Sequence, residues 1–146
     1  MRHAPQLLQV YFHGDWVYAS EFSPDGSRLV TGASDRTARI WNTATGEAML
    51  SPLPHSAGVK VIRFSRDGRR LLTFDKQGNA RVWDATTGRE SSPPMVHPGT
   101  VLDAAFSPDG GRLLTAGDSQ ERSGGSGQLW DVRSGHPIGA PMLHEA

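Results

Sequence analysis

The sequence contains no cysteine. Disulfides, thiolate-held metals and a cysteine nucleophile are excluded together, and cysteine usage fixes no compartment. An excess of either charge is also missing: fifteen basic and fifteen acidic side chains give a formal net charge of zero, and they are spread along the chain. Without a basic stripe nothing follows a phosphate backbone or an anionic lipid surface, so neither nucleic acid nor a membrane is expected as a partner. No apolar run approaches the roughly 18 residues of a membrane span, and the opening stretch MRHAPQLLQV lacks an apolar core of signal-peptide length. A cytoplasmic location is therefore the expectation. No convincing helical pattern occurs either. What remains, 146 residues with 36% hydrophobic side chains, fits one globular domain.

What the sequence does have is repetition. Phe22 to Gly26 reads FSPDG, Phe106 to Gly110 repeats it, and FSRDG stands between them at Phe64 to Gly68. The three phenylalanines are 42 residues apart, and so are His13, His55 and His97. Trp41 and Trp83 keep the interval of 42, whereas Trp130 comes 47 after Trp83, so five residues are inserted in the third copy between Thr115 and Trp130.

Each copy reads as four short strands. Val17, Val59 and Val101 open an apolar stretch that ends at the phenylalanine. The Ser, Pro or Arg, Asp and Gly that follow are turn residues: proline presets φ at the first corner, and glycine leaves the turn without steric cost. RLVTGA, RLLTFD and RLLTAG are second strands; ARIW, ARVW and GQLW are third strands. After Gly46, Gly88 and Gly135 comes a weaker, proline-bearing fourth segment, placed at a sheet edge because proline lacks a ladder donor. Units of this size are too thin to have a core of their own and must cover one another.

A tryptophan closing the third strand and followed by Asn42, Asp84 or Asp131, a histidine opening each copy, and the FSPDG turn together resemble the WD-repeat family of β-propellers, in the regular form met in bacterial arrays. The resemblance spans about residues 6 to 144; none of the three histidines has the glycine that usually precedes it in that family. It implies an all-β fold: a propeller arc of three four-stranded antiparallel blades plus one extra N-terminal strand, not a closed ring in one chain. The expected division is an N-terminal segment 1–12 carrying an orphan outer strand, blade 1 at 13–54, blade 2 at 55–96, blade 3 at 97–143 with an inserted loop at 118–128, and a tail at 144–146.

The resemblance also implies a buried hydrogen-bonded tetrad in each blade. It comprises His13, Thr31, Asp35 and Trp41 in the first copy; His55, Thr73 and Trp83 in the second, with Gln77 at the aspartate position; and His97, Thr115 and Trp130 in the third, with Asp118 as a candidate fourth member. Corresponding histidines in successive blades lie a blade-width apart, whereas metal ligands converge within about 2 Å of one point. No metal site is expected, no catalytic residue is assigned, and no cofactor is implied. The inserted stretch DSQERSGGSGQ lacks the lysine of a phosphate-binding loop and reads as a flexible surface loop carrying Glu121 and Arg122. Those two residues, with Trp16, Tyr18 and Lys60 on the first strands, where the copies vary, are the candidate partner contacts.

Three blades fall short of the four to eight that close a propeller. Two apolar faces are left at the ends, and about 400 Å² of uncovered apolar surface at about 25 cal/mol per Å² withholds roughly 10 kcal/mol, the stability of a whole domain. The expected function is a noncatalytic protein-interaction scaffold whose end faces are covered by self-association, as in a two-chain ring, or by further repeats. Two alternatives stand beside it: a regulatory or sensory arc of a larger signalling enzyme such as a protein kinase, and an intrinsic hydrolase. The latter needs a non-repeated catalytic set, which the sequence does not offer.

Overall fold

The computed structural model describes residues 13–118 and 124–145. The N-terminal segment with its expected outer strand, and Glu121 and Arg122, lie outside the described residues. Twelve strands run through the described part in three sheets: β1 (Val17–Phe22), β2 (Arg28–Ala33), β3 (Thr37–Asn42) and β4 (Leu53–Pro54); β5 (Val59–Phe64), β6 (Arg70–Asp75), β7 (Asn79–Asp84) and β8 (Met95–Val96); β9 (Val101–Phe106), β10 (Arg112–Asp118), β11 (Gly124–Asp131) and β12 (Pro137–Glu145). Each sheet takes its strands in chain order and is antiparallel throughout. The described residues form no helix, so no helix among them is long and apolar enough to cross a membrane.

The FSPDG corner explains its own residues. The Ser23 hydroxyl donates to Asp25 at 2.7 Å, Asp25 in turn accepts the Ser27 amide at 3.0 Å, and Gly26 takes φ 74°, which glycine alone reaches without a Cβ penalty. Hydrogen bonding from Ser23 and then from Ser27 holds the Asp25 carboxyl down at about 2. Ser65 with Asp67 and Ser107 with Asp109 repeat the arrangement.

Both faces of a blade are apolar, and they differ. One face, here called leading, carries the phenylalanine, the first leucine of the second strand and the tryptophan, as in the cross-strand row Phe64, Leu71, Trp83. The other, trailing face carries residues such as Leu72, Phe74, Ala80 and Val82. The trailing Val30, Ala38 and Ile40 of blade 1 pack on Ile62, Leu71 and Trp83 of blade 2, with Phe64 against them. The trailing Leu72, Phe74 and Val82 of blade 2 pack on Ala104, Leu113 and Trp130 of blade 3, with Phe106 against them. The core is thus two successive leading-on-trailing interfaces.

End positions differ from their equivalents for that reason. Phe22 does not join a core as Phe64 and Phe106 do; it is 62% exposed, because no described blade lies against the leading face of blade 1. Leu114, on the trailing face of blade 3, is 39% exposed where its equivalents Val30 and Leu72 are fully buried. Correspondingly, β10 alternates between exposed and buried residues, while β2 and β6 are buried almost throughout.

The third copy departs from expectation at two places. Asp118 ends β10 and Gly124–Gln128 belong to β11, so the described part of the stretch 118–128 is paired strand, with pairs such as Asp118 with Gly125. His144 and Glu145, expected in a tail, are the end of β12 and pair with Gly125 and Gly124. One extension explains the other: lengthening β11 gives the fourth strand nine residues, against two in β4 and β8.

Candidate functional site

The histidine groups are built on the leading face, where a threonine from the second strand stands between a tryptophan and a histidine. In blade 1, Trp41 Nε1 donates to Thr31 Oγ1 at 2.9 Å, and Thr31 Oγ1 meets His13 Nε2 at 2.6 Å. His13 Nδ1 reaches Asp35 Oδ2 at 3.0 Å, with the His13 side chain fully buried. Burial pushes the Asp35 carboxyl up, but hydrogen bonds from Thr37, the Gly14 amide and His13 outweigh it and hold it down at about 2.

Blade 2 keeps the same core with a different fourth partner. Trp83 Nε1 donates to Thr73 Oγ1 at 2.8 Å, and the Thr73 hydroxyl meets His55 Nε2 at 2.6 Å. Gln77 is exposed and takes no part; His55 Nδ1 donates instead to the Leu53 carbonyl at 3.0 Å. Asp75, fully buried two residues earlier, accepts from the Gln77 and Asn79 amides and so fixes the turn. Burial brings the His55 imidazole down to about 4, against the opposing pull of its bond to Leu53.

In blade 3 the ring is reversed. His97 Nδ1, rather than Nε2, meets Thr115 Oγ1 at 2.8 Å, and Trp130 Nε1 donates to the same oxygen at 3.0 Å. His97 Nε2 donates to Ser126 Oγ at 3.2 Å, whose hydroxyl donates to the Asp118 carbonyl at 3.2 Å. Asp118 therefore contributes its backbone, and its place is taken by Ser126, a buried residue of the inserted stretch. Burial lowers the His97 imidazole as well. A serine within a Gly/Ser-rich run carries no sequence signal that would single it out.

This arrangement engages its own members. In every blade both ring nitrogens of the histidine have partners, and each threonine hydroxyl is shared between the tryptophan and the histidine, so no imidazole nitrogen is left to act as a base or ligand. Among the described residues no three His, Asp or Glu side chains are grouped so as to hold a metal ion. Such groups satisfy buried polar atoms and tie strands together.

The candidate contacts sit at the other end of the exposure scale. Trp16 is 78% exposed, just ahead of β1. Tyr18 is exposed too, and its ring lies 3.9 Å from Lys76 Nζ of the next blade, which also donates to the Tyr18 hydroxyl at 2.6 Å. That lysine, at a position the sequence does not single out, lowers the phenol from its ordinary value chiefly through this bond. Lys60 is half-buried on β5.

Comparison with known proteins finds the same three repeats, with the second and third matches each starting ahead of the preceding sheet's fourth strand. Residues 5–42, 49–84 and 94–131 match the model WD40: WD domain, G-beta repeat. Local similarity reaches 53% identity over 34 residues with Protein Mut11 of Chlamydomonas reinhardtii, which is 23% of this chain and 9% of that protein. It is 48% over 31 residues with Apoptotic protease-activating factor 1 of Danio rerio, 21% of this chain and 2% of that one. The chain thus spans under a tenth of the length of these relatives. Among solved structures, the computationally designed Ika4 protein superposes with TM-score 0.79 at 22% identity, covering 98% of this chain and 83% of that one. The Cps50 (Swd1) β-propeller domain of Myceliophteria thermophila gives TM-score 0.74 at 21% identity, covering 90% and 40%. At such identities the likeness establishes the fold: propeller blades in an open arc.

Proposed function

The chain belongs to the WD40 repeat family, and on that premise we propose that it is a noncatalytic protein-interaction scaffold, a partial propeller completed by a second copy or by further repeats. WD40 repeats make protein-interaction propellers; the fuller reading is carried by the exposure of Trp16 beside the Tyr18–Lys76 pair. A large rigid aromatic next to a cation-bearing aromatic is the composition of a binding anchor, and the engaged histidine groups behind it supply stiffness rather than reactivity. Lys60 extends the candidate surface, and Glu121 and Arg122, which lie outside the described residues, are proposed as further contacts from the sequence alone. Affinity capture with the wild-type chain and with Trp16→Ala tests this. A partner retained by the first and lost by the second, at a cost of about 2 kcal/mol or more in affinity, supports the reading; an unchanged set of bound proteins sinks it.

A regulatory arc within a larger signalling protein is the second reading. It is favoured by the relatives, since a matched stretch that is 2% of Apoptotic protease-activating factor 1 is a small part of a long chain. A catalytic domain in the same reading frame supports it, and a frame without one removes it.

A further inference from the structure

Arginine opens the second strand of every blade, at Arg28, Arg70 and Arg112. Arg28 reaches across to blade 2, donating through Nη1 to the Ala85 carbonyl at 2.8 Å and through Nη2 to the Gly68 carbonyl at 2.7 Å. Its guanidinium carbon stands 5.6 Å from the centre of the Phe64 ring. Arg70 repeats the reach one blade on, donating to the Gly110 carbonyl. The acceptor is the same in both: the glycine closing the FS-x-DG corner of the following blade. A charged fork on two carbonyls, over an aromatic face, fixes the register of one blade on the next.

Arg112 has the same position, and no described blade lies against the trailing face of its sheet. Among the described residues its guanidinium donates no hydrogen bond, and the residue is exposed. The matching receptor also exists, unused, at the other end of the arc. Gly26 is the equivalent of Gly68 and Gly110, and among the described residues its carbonyl accepts only from Thr43 Oγ1 of its own blade, leaving a second lone pair. Thr43 is the equivalent of Ala85, and Phe22, the equivalent of Phe64, is open to solvent. The two free faces complement each other in kind as well: a leading face on blade 1 and a trailing face with Leu114, Ile138 and Met142 on blade 3.

We propose that Arg112 docks a second copy of this chain head to tail, donating to the second copy's Gly26 and Thr43 carbonyls over its Phe22 ring, while the reciprocal contact closes a six-bladed ring. This rests on the reading that the arc is completed by association. The number of copies follows from arithmetic: at three described blades per copy, two copies alone give a count within the four to eight blades that close. Every interface is leading-on-trailing, and two such contacts related by a half turn close the pair and leave neither described end face free.

Sedimentation of the 146-residue chain over a wide dilution range tests this, with far-ultraviolet dichroism and tryptophan fluorescence reporting the fold of each variant. The wild type is expected to sediment as two copies. Arg112→Ala should weaken association about tenfold or more, and Arg112→Glu and Phe22→Glu should each give folded single copies. Mixing those two charge variants should restore a two-copy species, because one of its two interfaces then has both native halves. Arg112→Ala is read in place of Arg112→Glu should the latter not fold. Variants that associate as tightly as wild type overturn the Arg112 contact and leave association itself standing. A mixture that recovers nothing overturns the head-to-tail geometry. A wild-type chain that stays a folded single copy at every concentration overturns the completed-ring reading as well; partner capture through Trp16 is a separate measurement and survives either result. Assemblies larger than two copies overturn ring closure.

Discussion

Thr73 is fully buried and its hydroxyl serves two rings at once, accepting from Trp83 Nε1 and meeting His55 Nε2. Thr73→Val keeps shape and volume but strands a buried indole N–H, so a loss of about 1–3 kcal/mol is expected in urea unfolding. His55 makes stability depend on pH. Its folded value, about 4, lies below the ordinary 6.5, so the unfolded chain binds the extra proton first. The contribution is complete above 6.5 and is lost as pH falls from there through about 4. Thermal melts across that window should show the decline, and His55→Gln should reduce it, with the buried His97 supplying the remainder. At this scale the sequence is partly legible. Histidine, threonine and tryptophan repeat and stand where the period puts them, but the fourth partner depends on which way the imidazole turns. Leu53 answers through a carbonyl that every residue has, and Ser126 sits in a run that resembles a linker, so neither leaves a mark in the letters.

Strand placement was legible because turn chemistry and period agree three times over. The exception is the inserted stretch, where glycine and serine suggest a loop while cross-strand pairing makes Gly124–Gln128 part of β11. Backbone hydrogen bonds there outweigh low strand propensity, which composition cannot reveal. The interface between blades 1 and 2 depends on Gly32. A Cβ there would stand 2.6 Å from Val59 Cγ1 and 3.0 Å from Ile62 Cδ1 of the next blade. Its equivalent Phe74 fills the corresponding space between blades 2 and 3, so the two interfaces are packed by different solutions. Gly32→Ala should therefore destabilise by about 1–3 kcal/mol through overpacking, read by chemical denaturation with the m-value unchanged.

At the level of the whole molecule, blade 2 alone has both faces covered by described neighbours. In the single-copy variants Arg112→Glu and Phe22→Glu, native-state hydrogen exchange should accordingly be slowest in β6, with β1 and β12 opening first, as expected of a linear array with frayed ends; equal protection in all three sheets of such a single copy would contradict this. The count of blades was readable from the spacing of three phenylalanines. The unequal treatment of those phenylalanines was not, since exposure of Phe22 depends on what lies beyond its sheet rather than on any neighbour in the chain.

Because each sheet is made of consecutive strands, the molecule can be assembled in the order in which it is synthesised. At about 5–20 residues per second, a unit of 42 residues emerges roughly every 2–8 s. During each interval the newest blade presents its trailing face, with side chains such as Ile40 and later Phe74, and nothing yet exists to cover it. Such a chain spends its birth with one adhesive end that moves from blade to blade. The ribosome's tempo, as much as the final packing, decides how long that end is open to the wrong neighbour.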